Sequence, residues 1–260
     1  MANDYQKIPL QRLTEHQTHI ESEFIVQESI ISLYCRGSNE EFKPYATLLG
    51  TPTRINELHA GHLLCEGLVS DLPSTANLEY ELIDGKVHSY YKSNIQKIPE
   101  NRIITTSCGA CNHPDLSVVH IQNKIGIGAQ QWTHKELLEK LNTMKEDMKL
   151  FTITGGCHGA GLLESSGNVL FVAEDIGRHN AVDKTVGIAI HSGVNSFNQF
   201  TLLLSGRCGW DIVAKASRIG ISSIASVGAF SSAALDLARE NGITLYGFVR
   251  ESGSWKAGKS

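Results

Sequence analysis

Apolar and polar positions follow two different rhythms along the chain. Over residues 23–102 the apolar positions fall in short β-like runs, "FIVQESIISLYCRG" and "YELIDGKVHSYYKS". The second run turns at Asp84-Gly85, a pair suited to a tight hairpin. Between the two, "RINELHAGHLLCEGLV" sets Ile55, Leu58, His62 and Leu63 at near-helical spacing, with Thr53 placed to cap the helix. The second half opens with an amphipathic helix, "WTHKELLEKLNTMKEDM". Apolar runs then alternate with amphipathic ones: "LFTITGG" and "HGAGLLES", "NVLFVAED" and "NAVDKTVGIAIHSG", "QFTLLLSG" and "GWDIVAKASRIG", "SSIASVGA" and "SSAALDLARENG", and finally "TLYGFVR". Such alternation predicts an α/β fold whose sheet has substantial parallel character and carries helices on both faces. The polar residues 1–22 predict a loose arm. The expected organisation is that arm, an N-terminal α+β domain over 23–125 and a C-terminal α/β domain over 126–260.

In an open α/β sheet the parallel strands bring their carboxyl ends to one edge, where ligands bind. The predicted strand ends here deliver Gly155, Gly156, Cys157 and His158, then Glu174, Asp175, Gly177, Arg178, His179 and Asn180. Further on come Ser205, Gly206, Arg207 and Cys208, and then Ser231 and Ser232. Each set opens a helix, whose free N–H groups favour anions, and Arg forks two phosphate oxygens. Local explanations exist for single members: Asn180 with Asp183 forms a near capping box, and the serines suit N-caps. His158 alone reads as a hydrogen-bonded core histidine. Together at one edge the residues point to an anionic ligand, not to a reaction.

Composition narrows the classes. With 23 Lys and Arg against 27 Asp and Glu the formal net charge is −4, so no bulk attraction to nucleic acid or anionic membrane is expected. No apolar run approaches the roughly 20 residues that span a bilayer. "MANDYQKIPLQRLTEH" lacks the apolar core of a secretory signal, so the expected location is the cytoplasm. There is no G-x-x-x-x-G-K-[ST], no G-x-G-x-x-G after a strand and no G-x-S-x-G elbow.

Six scattered cysteines do not resemble a disulfide scaffold. Cys35 and Cys65 sit in apolar runs and read as buried small hydrophobes. Cys108 and Cys111, in "TTSCGACNHPD", form a C-x-x-C between the two halves. A zinc site needs four ligands and the pair supplies two; His113, Cys157 and His158 would have to complete it through space. A redox dithiol belongs at a helix start, whereas Asn112 to Asp115 reads as a turn. Deamination would need H-x-E before P-C-x-x-C, and that pattern is missing. Covalent sulfur transfer needs a thiol with reach and a usable thiolate fraction. From the residues alone, carrier, redox and zinc readings stay open.

Several stretches together carry a more specific signal: "TPTRINELHAGHLLCEGLV", "SCGAC", "GGCHGAGLLESSGNVLFVAEDIGRHNAVDKTVG", "SGRCGWDIVAKA" and "GAFSSAALDLARENGITLYGFVR". They resemble the formate dehydrogenase accessory sulfurtransferases, the FdhD family, over residues 23–253. The resemblance implies a cytoplasmic homodimer whose C-terminal domain is a cytidine-deaminase-like layered α/β unit without a metal site. It implies sulfur taken from a cysteine desulfurase and delivered to the molybdenum (or tungsten) bis-molybdopterin guanine dinucleotide cofactor before insertion into formate dehydrogenase. Cys108 and Cys111 would carry the sulfur, with Cys108 as the persulfide site. The segment Phe248, Val249, Arg250, Glu251, Ser252 and Gly253 would bind the guanine dinucleotide, joined by Gly155, His158, Arg178, His179 and Arg207 of the sheet edge. The chain departs from the family pattern at Asn112, at "GGCHGAGLL" and at Gly209-Trp210-Asp211, where Ser-Phe-Glu is more usual. Cys157 and Cys208 are extra to that pattern. The alternative function is a cofactor-binding chaperone whose thiols are secondary.

Overall fold

The computed structural model describes residues 4–36, 41–95, 102–104 (main chain only) and 131–258. Cys108, Cys111, His113 and the expected domain boundary at 125/126 lie outside the described residues. Of the first 22 residues, expected as a loose arm, Tyr5 onward instead forms most of an antiparallel hairpin, β1 (Tyr5–Leu13) and β2 (Thr18–Val26). Alternating polar residues hid it, because most of its side chains face solvent.

A five-stranded mixed sheet follows: β3 (Ser29–Arg36), β4 (Phe42–Gly50), β5 (Leu78–Ile83), β6 (Lys86–Asn94) and β7 (Arg102–Ile104), in the order β5-β6-β3-β4-β7. The β5–β6 turn is the expected one, with Asp84 and Gly85 both at positive φ (49° and 74°). Helix α1 (Ile55–Cys65) also lies where expected, but Thr53 does not cap it. The N-cap is Arg54, in the left-handed region at φ 52°, with no side-chain hydrogen bond.

The second sheet has six strands: β8 (His158–Glu164), β9 (Val169–Asp175), β10 (Phe200–Leu204), β11 (Ser223–Ser226), β12 (Thr244–Arg250) and β13 (Gly253–Ala257). Their order is β13-β12-β11-β10-β8-β9, and only β10, β11 and β12 run parallel to one another. β8 runs antiparallel to both β10 and β9, and β13 antiparallel to β12. The helices are α2 (His134–Glu146), α3 (Lys149–Thr154), α4 (Arg178–His191), α5 (Trp210–Arg218) and α6 (Ser232–Asn241).

Two assignments reverse. "LFTITGG", expected as a strand, is α3; "HGAGLLES", expected as a helix, supplies β8. The Glu174 carboxylate accepts from the N–H groups of Leu150 and Phe151 (2.9 and 2.7 Å) and so stabilises the start of α3, while Gly155 at φ 62° ends it. The small residues of β8 serve close packing. A Cβ on Gly159 would sit 2.4 Å from Met148 Sδ, and one on Gly161 3.3 Å from Met144 Cγ.

The six-stranded sheet divides its side chains between two cores. Phe200, Leu202, Leu204, Leu162, Ile224 and Leu245 face one way, onto the side of α1, α4, α5 and α6. Leu203, Leu163, Ala225 and Tyr246 face the other, with Leu137, Leu141 and Met144 of α2. Helices α1 and α4 meet backbone to backbone: a Cβ on Gly61 would lie 1.8 Å from Asp183 O, and one on Gly187 1.9 Å from Glu57 O. The first core accordingly runs without a break from Ile31 and Leu33 of β3 to Leu245 of β12. Buried charges cross the same junction. Asp183 accepts from Lys215 (2.8 Å) and lies 3.0 Å from His62 Nδ1, while Lys215 also reaches Glu66 at 2.7 Å.

Candidate functional site

The strand follows residues 155–158 instead of preceding them, so the start of β8 lies level with the carboxyl ends of β9 and β10. Register places His158 opposite Asp175 and Ala160 opposite Leu204. The segments 155–158, 175–180, 205–209, 227–231 and 248–253 therefore gather at one edge. Main-chain bonds tie them together: Ser205 N to Gly159 O (3.0 Å), Gly228 N to Gly206 O (3.1 Å) and Phe248 N to Gly228 O (2.9 Å). The Ser205 hydroxyl accepts from Gly159 N at 2.8 Å. Glycine is required where these turns close: a Cβ on Gly206 would come within 3.1 Å of His158 Nδ1, and one on Gly228 within 2.8 Å of Gly206 O.

Arg178 and His179 open α4, and Asp211 stands in the first turn of α5. The N-caps of both helices, Gly177 and Gly209, provide no side-chain hydrogen bond; Asp211 Oδ1 takes the Ile212 N–H of α5 (3.0 Å), and the N–H groups of Arg178, His179, Trp210 and Asp211 are left for another acceptor. His179 Nε2 is hydrogen-bonded to Asp211 Oδ2, and Arg178 Nη2 lies 3.8 Å from the same oxygen. The buried Nε of Arg178 has no partner. Burial, then the proximity of Arg178, His179 and Arg207, pushes His158 below the usual histidine range, so its imidazole is neutral at neutral pH.

The loop entering α4 is fastened from beneath. The buried Asp175 carboxylate accepts from Thr51 N (3.1 Å), Gly177 N (2.8 Å) and Asn180 Nδ2 (3.0 Å), and pairs with Lys184 Nζ at 2.6 Å. Asn180 also donates to Leu49 O (2.8 Å), and Lys184 to Thr51 O (2.9 Å). Asn180 therefore bridges two sheets and is not the helix cap its spacing suggested. Ser231 is the N-cap expected, accepting from Ala234 N at 3.2 Å.

A cavity of about 630 Å³ opens beneath this edge. Leu141, Met144 and Met148 wall one side; Gly155, Cys157, His158, Ser205, Val249, Arg250 and Glu251 line the rest. A second recess, of about 330 Å³, is lined by Phe248, Arg250, Ser252, Gly253, Ser254 and Trp255. Arg250 belongs to both; its Nε donates to Val227 O (3.2 Å) and its guanidinium lies 5.6 Å from the centre of the Phe248 ring. Phe248 sits at φ 51° where the β12–β13 register shifts. Such backbone costs on the order of 1–3 kcal/mol and gathers at functional sites.

The sequence-derived candidates thus divide. Gly155, His158, Val249, Arg250 and Glu251 come together around the larger cavity; Phe248, Ser252 and Gly253 surround the recess with Arg250. Arg178 and His179 meet at Asp211, and a Cβ on Gly228 would lie 3.0 Å from Arg207 Cγ. Asp211, Trp255 and the α2 wall were missed. The available signals were "GSWKAG", an aromatic among small and polar residues, and the departure at Gly209-Trp210-Asp211. The extra cysteines are not reactive thiolates. Cys157 Sγ donates to Glu174 Oε1 (3.3 Å), and burial raises both Cys157 and Cys208 far above the ordinary thiol range. Cys35 and Cys65 are buried as expected, and burial pushes Cys35 up to about 12. Among the described residues no group of three or more His, Cys, Asp or Glu is placed to hold a metal, and no helix is long and apolar enough to cross a membrane.

The α/β frame thus gathers Arg178, Arg207 and Arg250 at one sheet edge, with a cavity beside Arg250. The FdhD/NarQ family matches residues 26–254, and this chain belongs to that family. The sulfur carrier protein FdhD of Picrophilus torridus is 35% identical over 210 residues, covering 80% of this chain and 79% of the relative. That of Saccharolobus solfataricus is 30% identical over 247 residues, covering 94% and 92%. A crystal structure described as a candidate formate dehydrogenase accessory protein from Desulfotalea psychrophila has the same fold, with a TM-score of 0.75 at 21% identity over 98% of this chain and 97% of that one.

Proposed function

We propose that this protein is a sulfur carrier serving formate dehydrogenase. It takes sulfur from a cysteine desulfurase onto Cys108 and passes it to a molybdenum or tungsten bis-molybdopterin guanine dinucleotide held, as cargo, at the sheet edge. The observation that carries the reading is the convergence of Arg178, Arg207, Arg250, two uncapped helix starts and a nucleotide-sized cavity on one edge. Loading is thiol exchange. The Cys108 thiolate attacks the outer sulfur of the donor persulfide, the donor S–S bond breaks, and the donor cysteine leaves as a thiolate that takes up a proton. Covalent reach supports delivery. Ile104 pairs with Leu48, next to the Leu49–Thr51 segment that Asn180 and Asp175 hold. Cys108 follows Ile104 by four positions in the sequence.

The test is mass analysis after incubation with a cysteine desulfurase and cysteine. One reducible added sulfur is expected, on the peptide containing Cys108. A Cys108→Ala variant that loads sulfur and supports formate dehydrogenase as well as wild type would overturn the assignment. The buried thiols of the described site favour a second reading, a chaperone that shelters the cofactor without persulfide chemistry. Alkylating Cys108 and Cys111 separates the two: a chaperone keeps its function, a carrier loses it.

A further inference from the structure

We infer that Asp211 is a positioning residue that holds Arg178 and His179 in place for the phosphate groups of the ligand. The inference rests on the anion-binding edge proposed above. Asp211 reaches out of its own helix: Oδ1 accepts from Ile212 N at 3.0 Å, while Oδ2 binds His179 Nε2 and faces Arg178 Nη2 at 3.8 Å. One carboxylate thereby joins the starts of α4 and α5, where the two helix dipoles also favour negative charge. With Nε2 engaged, Nδ1 is the ring nitrogen of His179 left for a ligand. Arg178 keeps a buried, unpartnered Nε and is too far from Asp211 for a hydrogen bond, so its donors remain available to an incoming oxygen.

The surrounding residues are shaped for this carboxylate. A Cβ on Gly209 would sit 2.5 Å from Asp211 Oδ1, so glycine two positions earlier makes the room. Burial would raise the carboxyl, but His179 and Arg178 outweigh it and hold it below the ordinary aspartate range, so it is charged at neutral pH. Arg178 and His179 face it from α4, the Cys208 thiol lies just before α5, and Arg207 and His158 stand behind at the same edge. Among these groups Asp211 is the acid in contact with the Arg178–His179 pair, which leaves the cluster net cationic.

The experiment is calorimetric titration with GDP, on wild type, Arg178→Ala, Asp211→Asn, Gly209→Ala and the Arg178→Ala/His179→Ala pair with and without Asp211→Asn. Arg178→Ala should weaken GDP by about tenfold or more. Asp211→Asn and Gly209→Ala should each weaken it by about fivefold, yet Asp211→Asn should add less than about twofold once Arg178 and His179 are gone. Thermal midpoints recorded alongside separate loss of fold from loss of positioning. If wild type does not bind GDP, or Arg178→Ala binds as wild type, the anion-site reading falls. If Arg178→Ala weakens GDP but both Asp211→Asn and Gly209→Ala bind as tightly as wild type, Asp211 has no positioning role. An undiminished Asp211→Asn effect in the doubly substituted background is equally fatal, since the residue would then act by another route.

Discussion

His59 shows how one buried side chain sets a pH limit for the whole protein. Its ring is wholly buried, Nδ1 lies 2.9 Å from the Ser89 hydroxyl, and Nε2 has no partner. Burial, assisted by His62, pushes its pKa down to about 3 from an ordinary 6.5. The unfolded chain therefore binds a proton through the interval between those values while the folded protein refuses it. Stability is full above the unfolded value and falls as pH drops toward the folded one. From pH 7 to 4 this group alone should remove about 3 kcal/mol. Urea unfolding at the two pH values measures it. Paired carboxylates such as Glu66, held low by Lys215 despite burial, contribute in the same direction, so the His59 share is the difference from His59→Gln. An equal pH slope in that variant would remove the claim. Asp175 sets a second residue-scale limit. Asp175→Ala would strand Lys184 in a fully buried site and should cost about 3–5 kcal/mol in denaturant unfolding.

At the scale of elements, legibility depended on what covers each strand. β10 was plain because its five residues are all buried and apolar runs announce that. α3 was misread because Phe151-Thr152-Ile153-Thr154 has strand propensity, and the group that stabilises the helix start, Glu174, lies on β9 more than twenty positions away. β13 was missed because its exposed residues leave no apolar alternation. Yet β13 carries Trp255, 70% exposed, which shares the recess with Phe248, 42% exposed. Two accessible rings beside an arginine suit a planar base, since base–aromatic stacking contributes about 1–3 kcal/mol per base. GDP should then quench the emission of Trp255, while buried Trp132 responds little. Trp255→Phe should abolish the signal yet retain most of the affinity. A full signal in that variant would assign it to Trp132 or Trp210 instead.

At the scale of the molecule, the gathering of these segments at one sheet edge was legible although strand and helix were exchanged between "LFTITGG" and "HGAGLLES". Both the end of a parallel strand and the start of an antiparallel one reach the same side of a sheet, so Gly155 to His158 arrive there either way. The joining of the two halves was not legible, because the role of Gly61 and Gly187 depends on a partner over a hundred residues distant. That junction supports the last prediction. With one apolar core running from β3 to β12, and Lys215 bonded to both Glu66 and Asp183, neither half can open without exposing the other. Unfolding followed by calorimetry should be a single transition. Gly61→Ala places a methyl 1.8 Å from a main-chain oxygen that cannot rotate away, so α1 and α4 must separate. Overpacking costs about 1–3 kcal/mol, and more where, as here, the obstructing atom is backbone. The variant should melt several degrees lower, still in one step. If it instead split into two transitions, with the C-terminal half keeping the wild-type midpoint, the halves would be independent domains and the shared core would carry no stability between them.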